Sequence, residues 1–352
     1  MRLFIGIAAV LMSFVTVTAQ AAPVVGLYQV HEELESQESD VRDAGLQHAF
    51  VTLMQRLTGR PDAAQDPRLA EYNADPQALI SRYGYEGNNL IVSFDPQSVQ
   101  AALDRTDLPQ WGSNRPVVLT WWLMDDLNGQ RLFSDGQPSA QKIASIAQYY
   151  GVPTRLPLGD LTDQMLIGPD ALNNTQDIRA SAERYSADAV LLVQQTMDGD
   201  AVLAQWQLWI GDEEQHGQAN EASQSELEHH VFAQVNQFLA QRFAVIPGQG
   251  ESLSVRVAGV DLERFVLLER LLEPFAAQLQ EVSQDYVQWQ VSSSVEQLKT
   301  QLALGHLHEQ AAPTGQGQAY ADDTATDGAI DAVSPEASLA NSTGAQVLYF
   351  SW

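Results

Sequence analysis

Four carboxylates in the middle of the chain, Asp125, Asp126, Asp160 and Asp163, have the types and spacing that could do chemistry. Asp125 and Asp126 follow an apolar run, residues 117–124, that reads as a strand. Asp160 and Asp163 follow a short second strand at 154–158. In an open α/β sheet, ligands bind outside the carboxyl ends of the parallel strands, so all four could converge on one crevice. A carboxylate pair there could act as general acid and base on a polymer substrate. It could equally bind a cation, a basic peptide or a small ligand. The same residues also suit local work, Asp160 or Asp163 as a helix cap and Asp125-Asp126 leading into a turn at Asn128-Gly129. Trp111 and Arg115 stand in the stretch Pro109-Gln110-Trp111-Gly112-Ser113-Asn114-Arg115-Pro116, which reads as a domain boundary. Structural roles are expected of both, Trp111 packing between modules and Arg115 pairing with a carboxylate.

Other chemistry finds little footing. The chain has no cysteine, which removes disulfides, thiolate nucleophiles and Cys-ligated metal sites. Glycine-rich phosphate and dinucleotide loops and the Gly-x-Ser-x-Gly elbow are absent. His31-Glu32-Glu33-Leu34-Glu35 starts like a zinc-protease helix but lacks the second His four residues on. A calcium loop counted from Asp323 puts Ala325 and Ser334 where ligands are needed. His229 and His230 are neighbours on a helix and diverge by about 100°. His306 and His308 lack a third ligand. No catalytic residue, metal ligand or cofactor is therefore assigned.

The elements that must position the carboxylates fall into three modules. The first, residues 22–108, reads β-α-α-β-α: a strand at 24–33, a helix at 40–57 with Leu46, Phe50, Leu53 and Leu57 on one face, a short helix at 76–83, a strand at 90–94 and a helix at 96–104. The second, residues 109–246, reads β-α-β-α-β-β-α. Its clearest signal is Asp198-Gly199 between two apolar runs, a tight-hairpin dipeptide. This order implies a mostly parallel sheet with one antiparallel edge strand and right-handed crossovers. The third module, residues 251–308 plus 346–352, reads β-α-β-α-β, with Asp261 capping its first helix and Pro274 kinking it near Arg270. The fold class is thus α/β and α+β, multi-domain: a mostly parallel, Rossmann-like three-layer module flanked by two small α+β modules, the last βαβαβ-like.

The ends of the chain carry separate signals. Met1-Arg2, an apolar run to Val17 and Ala19-Gln20-Ala21 read as a signal peptide, residues 1–21, cut after Ala21. The run is short for a membrane span, and no cysteine follows it to carry a lipid anchor. A periplasmic or secreted protein is expected, with no transmembrane segment. The formal net charge of −27 and pI near 4.3 argue against nucleic acid and anionic lipid as partners, since both need basic patches. Residues 309–345 lack periodicity and apolar content and read as a disordered insertion. The chain nevertheless ends in the apolar, β-prone Val347-Leu348-Tyr349-Phe350-Ser351-Trp352, which should return as a third strand of the last module.

Five short segments carry a resemblance: LMQRLTG at 53–59, LPQWGSNRP at 108–116, LPLGDLTD at 156–163, AERYSADAVLL at 182–192 and LYFSW at 348–352. In their order the chain resembles the bacterial domain of unknown function 2066 (DUF2066), found in proteobacterial envelopes. That resemblance implies an envelope location and no particular activity. In element order the second module is similar to small α/β modules of envelope proteins, among them the amino-terminal domain of the Tol-system propeller protein and the activators of penicillin-binding proteins. The expected function is an exported, non-catalytic interaction module for an unknown envelope protein. The alternative is an envelope-polymer hydrolase, or a cation or small-ligand binder, using Asp125, Asp160 and Asp163.

Overall fold

The computed structural model describes residue 24 and residues 26–126, 129–167, 175–199, 201–246, 250–311 and 346–352. The leader expected at 1–21 and nearly all of the insertion expected at 309–345 lie outside them. Among the described residues there are three sheets and nine α-helices, and the class is α/β and α+β.

The first unit contains β1 (Gln29–Glu33), α1 (Ser39–Thr58), α2 (Ala70–Ala74), β2 (Ile80–Glu86), β3 (Asn89–Phe94) and α3 (Pro96–Leu103). Its antiparallel sheet has the order β1-β3-β2. The apolar seam of α1 is buried as its spacing requires. The helix expected at 76–83 is instead a 3₁₀ turn, Pro76–Leu79, that opens into β2. Gly87, at φ 63°, turns β2 into β3, and cross-strand pairing outweighs the weak helical pattern there.

The second unit contains β4 (Val118–Asp126), β5 (Gly129–Phe133), α4 (Pro138–Tyr149), β6 (Thr154–Arg155), α5 (Leu161–Leu166), α6 (Gln176–Arg184), β7 (Ala189–Asp198), β8 (Ala201–Ile210), β9 (Glu213–Glu221) and α7 (Gln224–Phe243). The sheet runs β5-β4-β7-β8-β9, with β6 beside β4. Helices cover both faces. Val118 and Trp122 of β4 join the core under α4 and α7, and Leu119, Trp121 and Leu123 join a second core that includes Ile178 of α6. The hairpin at Gly199 forms, and Val202, Ala204, Trp206, Leu208 and Ile210 face one core together. The sheet is mixed rather than mostly parallel. Only the β4–β6 and β4–β7 pairings are parallel, because β5 and β9, both polar enough to read as loops, add antiparallel edges.

The third unit contains β10 (Glu251–Ala258), α8 (Leu262–Leu272), β11 (Gln278–Val282), β12 (Tyr286–Ser293), α9 (Val295–Ala303), β13 (His308–Gln310) and β14 (Gln346–Ser351). The sheet order is β11-β12-β10-β14-β13. The terminal strand does return: β14 lies parallel to β10, with Val257 opposite Phe350. Glu309 and Gln310, assigned to the insertion, pair with Phe350 and Tyr349. Asp261 caps α8 by accepting from the Arg264 N–H at 2.9 Å. Pro274 ends that helix rather than kinking it. A 3₁₀ turn follows Leu272, Ala276 takes a left-handed φ of 48°, and Leu279 moves onto the solvent-facing β11.

One apolar core joins the inner face of the second sheet to the third unit; the first unit has its own. Gly59 closes α1 at φ 70°, directly against Ala240 of α7, and a Cβ there would overlap the Cβ of Ala240. Gly59→Ala is expected to cost about 3 kcal/mol, combining left-handed strain and overpacking, read from urea unfolding midpoints.

Candidate functional site

The structure divides the four carboxylates. Asp160 and Asp163 meet; Asp125 and Asp126 do not join them. Asp160 precedes α5 and accepts from the Asp163 N–H at 3.0 Å, the capping role. Asp163 is fully buried. It accepts from the Gly159 N–H at 2.8 Å, from the Tyr185 hydroxyl at 2.6 Å and from the Arg184 guanidinium at 2.8 Å. Arg184 also pairs with Asp160, holding that carboxyl below the usual carboxylate range. Burial, and next the bond to Asp163, push the Tyr185 hydroxyl up. With three donors inside the fold and no solvent-exposed surface, this carboxylate offers no accessible oxygen to a substrate.

Asp125 and Asp126 end β4 at its hairpin, with Gln130 and Gly129 as cross-strand partners. Ser134, which packs against Gly159, follows Phe133, the partner of Trp122. Asp160 is therefore level with the middle of β4. Asp125 lies about four residues farther along, about 13 Å at ~3.3 Å per residue.

The Asp160–Asp163–Arg184–Tyr185 knot fixes a short segment whose outer side is apolar. Leu158, Leu161 and Met165 are 59%, 74% and 77% exposed. Leu166 and Ile167, on its inner side, pack on the outer core of the sheet. Beside it lies a hollow of about 520 Å³, lined in part by Leu156, Leu158, Arg155 and Tyr185. A short, solvent-facing segment would ordinarily bury or lose such side chains; here ionic bonds anchored on the buried Asp163 hold them outward.

Trp111 and Arg115 form the second constellation, at the seam of the units. Trp111 is buried, donates its backbone N–H to Leu57 O at 2.7 Å and stacks its ring on Phe243 at 6.4 Å. Arg115, fully buried, pairs with no carboxylate among the described residues, contrary to expectation. It donates to the carbonyls of Gly112, Gly151, Arg56 and Trp111 at 2.9–3.0 Å and lies 4.0 Å over the Trp111 ring. One of the four, Arg56 O, lies in the last turn of α1, and the others are loop carbonyls that the packing leaves facing the guanidinium. The last carbonyls of a helix lack partners and carry partial negative charge, so they suit a cation. Burial, and then Arg56, pull Arg115 well below its ordinary value. Arg56 is likewise held by backbone oxygens, those of Tyr149, Leu27 and Gln29, and burial lowers it to about 10.

Glu32, Thr52 and His48 of the first unit meet Tyr149 of the second. The Thr52 hydroxyl lies 2.7 Å from that of Tyr149 and donates to Glu32 at 3.0 Å, while His48 Nδ1 is 2.8 Å from Glu32. Burial, and then Glu32, raise Tyr149, and the same causes push Tyr150 up to about 12. Sequence reasoning passed over Arg56, Arg184 and Tyr185. The signal available was the preference for arginine, since Lys142 and Lys299 are the only lysines; the guanidinium fork suits buried, multiply bonded sites.

Two histidines at this seam shift in opposite directions and should bend the pH dependence of stability from both sides. The bond to Glu32 raises His48 above its ordinary 6.5. The stability this contributes is complete below about pH 6.5 and is lost as pH rises through the raised folded value. His229 moves the other way, lowered by burial and then by Lys142. The stability lost through it grows as pH falls from about 6.5 toward that lower value. Thermal melts across a pH series should peak near about pH 6.5. His48→Gln should flatten the alkaline limb and His229→Gln the acid limb above the carboxylate range.

A family model described as a domain of unknown function (DUF8605) matches residues 21–112. This corrects the resemblance drawn from the short motifs: the matching domain of unknown function is a different one from 2066, and it covers the first unit and part of the linker. No curated protein matches the chain. Among solved structures, the lipoprotein GNA1162 from Neisseria meningitidis is 19% identical, covering 35% of this chain and 96% of its own, at a TM-score of 0.22. The LpoB C-terminal domain from Salmonella enterica is 16% identical, covering 31% of this chain and 83% of its own, at a TM-score of 0.21. Among the described residues no helix is long and apolar enough to cross a membrane.

Proposed function

We propose that this protein is an exported, non-catalytic interaction module of the envelope, delivered by its leader and docking a partner protein through the braced segment of the second unit. The observation that carries this reading is the pairing of a fully buried Asp163 with the outward Leu158, Leu161 and Met165. Ionic bonds hold apolar side chains in water, an arrangement that makes sense when another surface covers them. The commitment of Asp160 and Asp163 to bonds inside the fold supports a non-catalytic role. The net charge of −27 favours a partner whose rim is basic around an apolar pocket. The division at residues 109–116 and 247–250 belongs to the same proposal, three compact units working as one body.

A photo-crosslinking residue placed at Leu161, at Met165 and, as control, at the 81% exposed Leu262 tests this in the cell that makes the protein. Adducts of one defined partner from positions 161 and 165, absent from 262, are expected. The same adducts from 262, or none from 161 and 165, would overturn the reading.

A further inference from the structure

Where the first and third units and the linker meet, the structure forms an open-mouthed pocket of about 730 Å³. That is within the range of about 300–1,000 Å³ typical of small-molecule sites, which favour such junctions. Leu57, Leu103, Trp111 and Pro274 supply apolar walls. Trp111 borders the cavity while its indole N–H, buried, has no hydrogen-bond partner. An unpaired buried donor costs about 1–3 kcal/mol unless something accepts from it. The other polar groups are fixed: Gln100 and Gln110 bond to each other, and both donate to Asp104 at 3.0 and 3.2 Å.

The charges select the ligand. Asp104 and Glu273 line the cavity, and among the described residues no basic side chain does. Arg115, next to its wall, is held by backbone carbonyls. We infer that this junction is a binding site for a small apolar molecule with a neutral or cationic head and a hydrogen-bond acceptor. It is separate from the docking segment. Anionic amphiphiles are disfavoured by the two carboxylates.

Dye titrations of the full chain test this, with neutral Nile red and anionic anilinonaphthalene sulfonate as probes. Saturable Nile red uptake is expected, with weaker uptake of the anionic dye. Ala101→Trp, at an exposed position on the cavity lining, should weaken Nile red by on the order of tenfold or more with unchanged melting. Leu161→Asp with Met165→Asp should leave uptake intact, which separates this site from the docking reading. Glu273→Lys, also at an exposed position, should raise the anionic dye's affinity in a salt-sensitive way. The inference is overturned if uptake is absent, if it survives Ala101→Trp, or if it is lost with the Leu161 and Met165 changes. Uptake appearing only in a chain shortened to begin at Val24, whose N–H bonds Ser113 O at the cavity wall, would assign the space to the chain's own leading residues and overturn it as well.

Discussion

Arg115→Met is expected to lower the unfolding free energy by about 4 kcal/mol, the scale of breaking a buried charged hydrogen-bond network. Methionine can occupy much of the volume, so the loss comes from polar groups rather than from a void. Three buried carbonyls, those of Gly151, Arg56 and Trp111, and the half-buried one of Gly112 lose their donor together. They belong to three segments distant in sequence, so the loss falls on the seam between the first and second units. Arg115→Lys should recover only part of it, because one ammonium cannot span sites that a planar fork reaches at once. Arg60→Ala removes a guanidinium paired with Asp62 on the surface and should change stability by no more than about 0.5 kcal/mol. Urea midpoints at constant slope give these differences. A loss under about 1 kcal/mol for Arg115→Met would refute the account of the seam.

Asp163→Asn should cost about 2–3 kcal/mol, less than a fully enclosed pair because Arg184 is partly in water. The neutral amide keeps the size of the carboxylate but cannot accept from the Gly159 N–H, the Tyr185 hydroxyl and Arg184 as strongly. Part of this loss should be local. Amides of α5 should exchange with solvent markedly faster, while those of β7 and β8, in the centre of the sheet, stay protected to the global limit. Asp125→Asn, at the exposed end of β4, should leave both measurements unchanged.

These two residues also mark how far the chain could be read without coordinates. Elements with strong periodicity were legible. The α1 seam, the Gly199 hairpin, the doubly covered β4 and the return of β14 all follow from apolar spacing and turn chemistry. The strands β2, β5, β9 and β11 were not. They are polar edge strands, and edges are built from the residues that otherwise mark loops. Missing them also hid the direction in which neighbouring strands pair. β11 turns the chain back, which sets β12 antiparallel to β10, and β5 and β9 make the central sheet mixed.

The acidic residues were visible, but their partners were not. Nothing local to Asp163 points to Arg184 and Tyr185, some twenty residues on. Arg115 was expected to face a carboxylate because opposite charge is the usual partner of a buried cation. The carbonyls that replace it, from the end of α1, the linker and Gly151, converge only once these segments are packed. Spacing along one element could be read; convergence of separate elements required the fold.

The most direct measurement is the crosslinking yield from Leu161 in the wild-type chain and in Asp163→Asn, at a temperature where both are folded. A brace for a docking surface requires the yield to fall several-fold with the substitution while the melting of the remaining chain stays cooperative. An undiminished yield would show that Leu161 meets its partner without Asp163 holding it in place.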